Sequence, residues 1–272
     1  MLLDTEPLSV LRRSMHVSYS QIKGYQICPA KFHFGYILGV EPSHRPVNMV
    51  LGGAVHHALA LHYSYIMGKE EKPEEDALIT WFRDRWDKEM DRPIPVVFDE
   101  KKDEGAFMDA GVALLRTFHA KSDVPTVLAV EQPFSIGLTD PGTGEVMEPQ
   151  LIGAMDLIVE EKGLPVVVEH KTAAKRYAQW QLDFELQPSL YAHACREIGI
   201  GEVGLRYQLL VKTKSPSLQL CDIKRGEKEI TEALETVCTV LSAIEAGHFW
   251  KNRSWACADC QYRYRCDEGG ST

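Results

Sequence analysis

The sequence has no apolar run long enough to cross a membrane, because His, Lys or Glu interrupts its longest apolar stretches within about ten residues. Residues 1–16 lack the basic start and apolar core of a secretory signal. The phosphate-binding pattern G-x-x-x-x-G-K-[ST] is also missing, so any ATP-driven step would need a partner protein. We therefore expect a cytoplasmic protein that does not associate with membranes.

Basic charge is in short supply as well. The 30 Lys and Arg residues are outnumbered by 39 Asp and Glu residues, which gives a net charge of −9. This balance argues against a protein that coats nucleic acid non-specifically. An enzyme acting on nucleic acid is not excluded, because local basic stretches remain at 171–176, 212–214, 224–228 and 251–265.

The apolar pattern changes its period along the chain. Helical spacing marks the first half, where Ser18 and Gln21 stand at capping-box distance and Pro29 interrupts the first helix. Strand patterns begin after residue 125, with a turn at 140–144. This order predicts an α/β fold around a mixed central sheet flanked by helices. The predicted helices are 18–35, 51–67, 74–91, 103–120, 180–198 and 227–247, and the predicted strands are 126–138, 150–160, 164–171, 203–213 and 217–224.

Residues 152–172 carry the candidate chemistry. A turn centred between Lys162 and Gly163 would place Asp156 opposite Glu169, with Cβ atoms roughly 5 Å apart. Lys171 lies two residues beyond Glu169 and so shares its strand face. Two facing carboxylates repel each other, a cost that a divalent cation removes, and oxygen ligands suit Mg²⁺ or Mn²⁺. The opposite face of the hairpin carries the predicted core residues Leu157, Val159, Val166 and Val168.

Spacing alone does not separate this site from a surface hairpin with a Glu–Lys pair, and a bulge would break the pairing. The surrounding motifs are more specific. In order they are Gly52-x-x-x-His56, Asp156, Glu169-His170-Lys171 and Gln187-x-x-x-Tyr191. This order resembles the PD-(D/E)XK nuclease superfamily, and more narrowly its RecB-like branch, over residues 17–266. Met155 stands where the superfamily pattern has a proline before the Asp. The resemblance implies a restriction-endonuclease-like core.

The resemblance also assigns roles. His56, Asp156 and Glu169 would bind the metal, with His57 as the alternative to His56 because Gly53 begins a second match to the histidine motif. The catalytic set would be Asp156, Glu169, Lys171, Gln187 and Tyr191.

Lys171 would orient the attacking water or neutralise transition-state charge. Gln187 and Tyr191 are four residues apart and share a helix face. Tyr191 would offer its ring to a base or its hydroxyl to a phosphate. Glu131 resembles an acidic residue that often lies near the metal.

Seven cysteines without an export signal favour metal binding over disulfides. Cys257, Cys260 and Cys266 form C-x2-C-x5-C, and Cys28, followed by a proline, is the natural fourth ligand. From spacing alone, zinc is favoured. The arrangement resembles the iron–sulfur nucleases of the CRISPR-adaptation type and the AddB nuclease domain, which implies a [4Fe–4S] cluster with Zn²⁺ as the alternative. The remaining cysteines, expected to be buried small hydrophobic residues, are Cys195, Cys221 and Cys238.

These features favour a metal-dependent DNA nuclease. It would be an exonuclease or end-processing enzyme for single-stranded DNA or DNA ends in repair or recombination, with a helicase or recombination partner supplying any unwinding. The alternative is a non-catalytic DNA-binding iron–sulfur or zinc subunit of a larger helicase–nuclease complex. We expect one domain over 1–272, with a helical part at 17–125, a catalytic core at 126–249 and a Cys-rich tail at 250–272.

Overall fold

A computed structural model of the chain describes residues 6–98 and 102–267. The strands are β1 (His16–Val17), β2 (Arg45–Pro46), β3 (Val96–Val97), β4 (Thr126–Thr139), β5 (Val146–Glu161), β6 (Leu164–Ala173), β7 (Gly204–Val211) and β8 (Ser217–Ile223). Strands β4, β5 and β6 form an antiparallel meander, β7 lies parallel to β6, and β8 returns antiparallel beside β7. Strand β1 joins this mixed sheet parallel to β5, and β2 pairs with β3 in a separate sheet.

Helices cover both faces of the mixed sheet. They are α1 (Leu8–Leu11), α2 (Tyr19–Ile27), α3 (Pro29–Phe32), α4 (Val47–Lys69), α5 (Glu75–Met90), α6 (Glu104–Lys121), α7 (Gln179–Asp183), α8 (Leu186–Glu197), α9 (Glu227–Glu245) and α10 (Arg263–Asp267), with a π-helical turn at His33–Ile37 and a 3₁₀ turn at Trp255–Cys257. Ser18 caps α2 in the predicted capping box with Gln21. Within the described part of the chain, no helix is long and apolar enough to cross a bilayer.

Two apolar layers hold the helices to the sheet. Helices α4, α5 and α6 pack on the hairpin face that carries Leu157, Val159, Val166 and Val168, the four predicted core residues. Helices α2, α8 and α9 contribute the apolar side chains that cover the opposite face. A mixed sheet between two helical layers confirms the predicted fold class.

The turn at Lys162 and Gly163 sets the register of the β5–β6 hairpin. Both residues have positive φ, 54° and 78° respectively, as a two-residue type I′ turn requires. The antiparallel ladder then runs for five pairs, down to Leu157 with Val168, which confirms the predicted register. One further step in this register brings the two predicted carboxylates opposite each other, at the point where the ladder ends.

Strands β5 and β6 diverge beyond that last pair. Strand β6 stays paired with β7 as far as Ala173, whereas β5 continues beside β4. Because β4 occupies one edge of β5, strands β1 and β6 must share the other edge. Strand β1 pairs there at Gln150 and Leu151, and β6 pairs from Leu157 onward. The gap between them in β5, residues 152–156, together with the diverging end of β6, is termed the fork below.

The prediction of one continuous helix over 180–198 is wrong, because the structure divides this segment into α7 and α8. Pro188 explains the break. In a continuous helix its ring would clash with the carbonyl group four residues earlier, that of Phe184, and it has no N–H to donate. Arg225 occupies the break, where its guanidinium donates a hydrogen bond to the carbonyl oxygen of Leu182 at 2.6 Å.

Candidate active site

The fork brings the two predicted carboxylates together. Oδ2 of Asp156 accepts a hydrogen bond from the backbone N–H of His170 at 2.9 Å. Glu169 immediately precedes that residue and is only 5% exposed. Because β6 has turned away from β5 here, side chains contact polar backbone groups that a β-ladder would otherwise pair. The hydroxyl of Tyr191, for example, lies 3.0 Å from the carbonyl oxygen of Ala154.

Three polar side chains form one hydrogen-bond network around Glu169. Lys171 Nζ donates to Glu169 Oε1 at 2.5 Å and to Gln187 Oε1 at 2.9 Å. Gln187 Nε2 donates to Glu169 Oε1 at 3.0 Å, and the Tyr191 hydroxyl donates to Glu169 Oε2 at 2.8 Å. Gln187 and Tyr191 lie on one face of α8, as their spacing predicts. Hydrogen bonds to both oxygens therefore fix the orientation of this buried carboxylate.

The ring of Tyr191 is not available to a base. It is packed edge-to-face against Phe134, with the ring centroids 6.1 Å apart, and the residue is 5% exposed. The expectation that Tyr191 stacks on a base is therefore wrong for this arrangement. Its hydroxyl instead helps to position Glu169.

His56 lies on α4, which packs on the opposite face of the sheet, and its side chain reaches Asp156 at the fork. At Gly52, one turn earlier, a Cβ atom would lie 3.3 Å from Oγ1 of Thr172 on β6, which is tighter than an ordinary contact, so the helix and the strand are closely packed here. With this close packing, His56 Nδ1 lies 3.4 Å from Asp156 Oδ2. His57, the alternative in the sequence motif, faces positive side chains of α5 instead. The geometry favours His56.

Negative charge is crowded at the fork. Burial, followed by the charge of Glu169, raises the pKa of Asp156 well above its usual range. The same two causes raise the pKa of Glu131. Burial lowers the pKa of His56, which favours the neutral imidazole that can act as a ligand. A proton or a cation is therefore more strongly stabilised here than at an ordinary surface carboxylate.

Glu131 combines this position with an unusual backbone. Its φ of 49° falls in the left-handed region although it lies within β4, between the two ladder pairs that flank Asp156. For a residue other than glycine this conformation costs about 1–2 kcal/mol. Such strain persists where the surroundings enforce it, and it occurs often at functional sites.

A groove of about 680 Å³ opens onto the fork. Glu131, Asp156, Gln187 and Tyr191 line one side of it. The other side comes from N-terminal segments that sequence analysis did not assign to the site. No motif marks this wall, because the short pairing of β1 with β5 that brings it there joins segments far apart in the chain. Its lining residues include Arg12, His16, Ser18, Tyr19 and Tyr36.

A family model of the PD-(D/E)XK nuclease superfamily matches residues 16–267. The chain belongs to this superfamily. No curated protein sequence matches the chain. Members of the superfamily are nucleases, so membership supports hydrolysis of phosphodiester bonds as the chemistry of the fork.

A solved structure shares the fold. A protein from Eubacterium rectale described as a putative exonuclease superposes with a TM-score of 0.60 at 14% identity, over 100% of this chain and 95% of that chain. At this identity the match shows the fold alone. The structure of SSO0001, with a TM-score of 0.37 and 11% identity over 93% of this chain and 96% of that chain, is too distant to add to it.

Nucleases of the PD-(D/E)XK superfamily typically use divalent metal ions, and the donor atoms at the fork suit one. Two carboxylates and a neutral imidazole are ligands for Mg²⁺ or Mn²⁺, and burial together with the charge of Glu169 raises the pKa of Asp156, two effects that a bound cation offsets. In residues 6–98 and 102–267, no group of three or more His, Cys, Asp or Glu side chains is arranged to hold a metal ion as it stands. Glu169 instead accepts hydrogen bonds from Lys171, Gln187 and Tyr191.

The four cysteines predicted as cofactor ligands line one cavity of about 110 Å³. Burial raises the pKa of Cys266, and so do the neighbouring thiols of Cys260 and Cys28, while Lys251 and Arg253 lower it. All of these sulfurs are free thiols. Four thiols and nearby cations suit either a [4Fe–4S] cluster or a zinc ion. The other three cysteines are buried, as predicted: Cys195, Cys221 and Cys238.

Direct contacts also dock the Cys-rich tail, of which residues 268–272 lie outside the described residues. Asn252 Nδ2 donates to the carbonyl oxygen of Ile27 at 2.9 Å, and the Tyr264 hydroxyl donates to that of Glu41 at 2.9 Å. Both contacts join the tail to N-terminal segments. The tail is therefore attached to the rest of the protein by direct contacts besides any cofactor that the four cysteines hold.

Proposed function

We propose that this chain is a divalent-metal-dependent deoxyribonuclease of the RecB-like branch. It would act as an exonuclease or end-processing enzyme on single-stranded DNA or DNA ends in repair or recombination, with a partner supplying any unwinding. One observation carries the proposal: His56 of α4, Asp156 of β5, and Glu169 and Lys171 of β6 converge at the fork, beside a groove of about 680 Å³.

Each of these residues has a task in hydrolysis. His56, Asp156 and Glu169 would hold the ion, which when bound lowers the pKa of a water molecule and neutralises a phosphate oxygen. Lys171 brings a positive charge beside Glu169, so it orients the attacking water or stabilises charge developing on the phosphate. Gln187 holds Lys171 and Glu169 in a fixed relation through one hydrogen bond to each.

We also propose a [4Fe–4S] cluster at Cys28, Cys257, Cys260 and Cys266, with Zn²⁺ as the alternative. The cysteine cavity and the groove are lined by different residues of the described chain. The cofactor would therefore support the architecture and the position of the DNA, and hydrolysis would take place at the fork.

The proposal predicts that Lys171→Ala, Asp156→Asn and Glu169→Gln each lower cleavage of end-labelled DNA at least about 100-fold, the size expected for loss of one group that stabilises the transition state. Single- and double-stranded substrates are compared with Mg²⁺, with Mn²⁺ and with chelator. The unaltered protein should cut only with the metal. Mn²⁺ should raise its melting temperature, because an ion that binds only the folded state stabilises it.

Lys228→Ala is the matched control, since this lysine lies on α9 and its side chain is 80% exposed. It should cut DNA at the rate of the unaltered protein. Near-normal cleavage by Lys171→Ala with Mn²⁺ would remove this lysine from the chemistry. Binding of DNA without cleavage under any metal condition would favour the non-catalytic subunit instead.

A further inference from the structure

Two large aromatic side chains project from α7 into solvent. Trp180 is 65% exposed and Phe184, at the C-cap of this helix, is 85% exposed. They are four residues apart, so they lie on one side of the helix. Leu182, between them, is 1% exposed and anchors the opposite side in the core. The two rings are thus exposed together by an element that is itself attached to the protein.

Hydrogen bonds hold both ends of α7, the helix that carries these rings. The backbone N–H of Tyr177, just before α7, donates to Gln219 Oε1 at 3.0 Å, and Gln219 Nε2 donates to the Tyr177 carbonyl oxygen at 2.9 Å. Arg225 holds the other end through the carbonyl oxygen of Leu182. A ligand that binds to both rings would therefore order few additional groups, which keeps the entropic cost of binding low.

The rings also lie close to the fork. Phe184 is three residues before Gln187, so their Cα atoms are within about 11 Å, and Gln187 accepts a hydrogen bond from Lys171. The connection from the end of β6 to α7 carries the exposed cations Lys175 and Arg176. Exposed aromatic faces and exposed positive charge thus occur together in the segment of chain that joins the candidate catalytic lysine to Gln187.

The acidic residues nearby cancel only part of this charge, because Glu185 is paired with a lysine of its own and only Asp183 faces no cation at ion-pair distance among the described residues. Glu185 pairs with Lys23 at 3.2 Å and accepts a hydrogen bond from Tyr19 at 2.8 Å. Asp183 accepts a hydrogen bond from Gln179 at 3.0 Å. The charge pattern complements a polyanion that carries flat apolar groups, which is the chemistry of an unpaired nucleic-acid strand.

We propose that Trp180 and Phe184, the α7 platform, stack on unpaired bases of the strand whose backbone enters the fork, while Lys175 and Arg176 contact its phosphates. This inference rests on the proposed function and adds a single-strand binding site to it. Stacking uses faces that every base has, so recognition would be independent of sequence. Bases in a duplex keep those faces covered, so the α7 platform would favour single strands and frayed ends.

The test uses full-length protein carrying Lys171→Ala, which keeps the substrate intact during measurement. Dissociation constants are measured by fluorescence anisotropy for an oligothymidine and for an abasic strand with the same number of phosphates. Phe184→Ala and Trp180→Ala should each weaken oligothymidine binding at least about 5-fold, the loss of one stack, and leave abasic binding unchanged. Phe184→Trp should restore binding, whereas Phe184→Leu should not.

Two controls sharpen the result. Lys175→Ala combined with Arg176→Ala should weaken both strands alike and reduce the salt dependence of binding. Trp255→Ala, at an aromatic residue of the C-terminal tail that is 83% exposed, should bind both strands normally.

The inference is overturned if the α7 variants bind oligothymidine normally, or if their binding of the oligothymidine and of the abasic strand is weakened equally. It is also overturned if Phe184→Leu binds oligothymidine as well as the Lys171→Ala protein does, because that result would indicate a general apolar contact such as a protein surface. Equal loss in Trp255→Ala would overturn it as well. Cleavage by the unaltered chain is scored separately. If cleavage is absent while base-dependent binding persists, the proposed function fails and the platform remains as a binding site.

Discussion

A buried carboxylate is stable only if donors or cations surround it, and Glu169 has donors on both oxygens. Lys171 and Gln187 donate to one oxygen and Tyr191 donates to the other. All three residues also belong to the predicted catalytic set. The same side chains thus keep the carboxylate in place and, under the proposed function, would hold the lysine beside the reacting phosphate.

His62 allows a different prediction at the scale of one residue. It is fully buried between the rings of Tyr63 and Phe118, and neither of its ring nitrogens has a hydrogen-bond partner among the described residues. Burial lowers its pKa from 6.5 to about 4. The folded state therefore keeps His62 neutral, while the unfolded chain takes up a proton below pH 6.5.

Stability should consequently be lost as the pH falls from about 6.5 to about 4, by up to about 3 kcal/mol from this residue. His62→Leu should remove that part of the pH dependence, because leucine does not titrate. Denaturant unfolding across this pH range measures the difference between variant and unaltered protein. His248→Gln, at an exposed histidine, should run parallel to the unaltered protein. A difference for His62→Leu that stays constant with pH would contradict the prediction.

At the scale of secondary-structure elements, the site exists because strands and helices are interrupted. Strand β6 leaves β5 beyond Val168, and the divergence leaves room for the side chains of α8. Pro188 is incompatible with a helix that runs on from α7, so α8 starts anew at Leu186 and its first turn places Gln187 against Glu169. Continuous elements would have buried the same polar residues without a groove beside them.

The strained backbone of Glu131 gives a prediction at this scale. Glycine adopts a φ of 49° without the steric cost that Glu131 bears. Glu131→Gly should therefore be more stable than Glu131→Gln by about 1 kcal/mol, since both lack the carboxylate and only the glycine relieves the strain. Denaturant midpoints of the two variants measure the difference.

Glu148 provides the matched control, because it is an exposed glutamate of β5 and is not among the described residues with positive φ. There the order should reverse, with Glu148→Gly less stable than Glu148→Gln, because glycine weakens an ordinary strand by roughly 0.5–1 kcal/mol. If the glycine variant were the less stable one at both positions, Glu131 would not be strained.

At the scale of the whole molecule, the sequence patterns predicted those features that depend on residues close together in the chain. The Lys162–Gly163 turn fixed a five-pair register, and four-residue spacing placed Gln187 and Tyr191 on one helix face. Pro188 is a sequence signal for the break between α7 and α8, which the predicted helix over 180–198 did not include. The prediction of one domain over residues 1–272 stays a prediction.

Long-range contacts were beyond the sequence patterns. The wall of the groove depends on β1 lying beside β5, a pairing of two residues with no distinctive composition. The exposure of Trp180 depends on which side of α7 faces the core, and a five-residue helix has too short a pattern to show it. The positive φ of Glu131 likewise has no signal of its own in the sequence.

The last prediction concerns the junction of the two chain ends. Hydrogen bonds already join the tail to the N-terminal segments, so loss of one cysteine should loosen the junction without releasing it. Cys28→Ser should abolish bound cofactor, lower the melting temperature on the order of 5 °C and speed proteolysis of the tail. Cys238→Ala, at a buried cysteine of α9, should also lower the melting temperature but keep the cofactor.

Iron, acid-labile sulfide and zinc are measured in protein purified without oxygen. Iron with sulfide identifies the cluster, whereas one zinc and no iron would replace the cluster with zinc and leave the four-cysteine junction intact. Full cofactor content in Cys28→Ser would overturn the junction itself, because three thiols from the tail would then suffice.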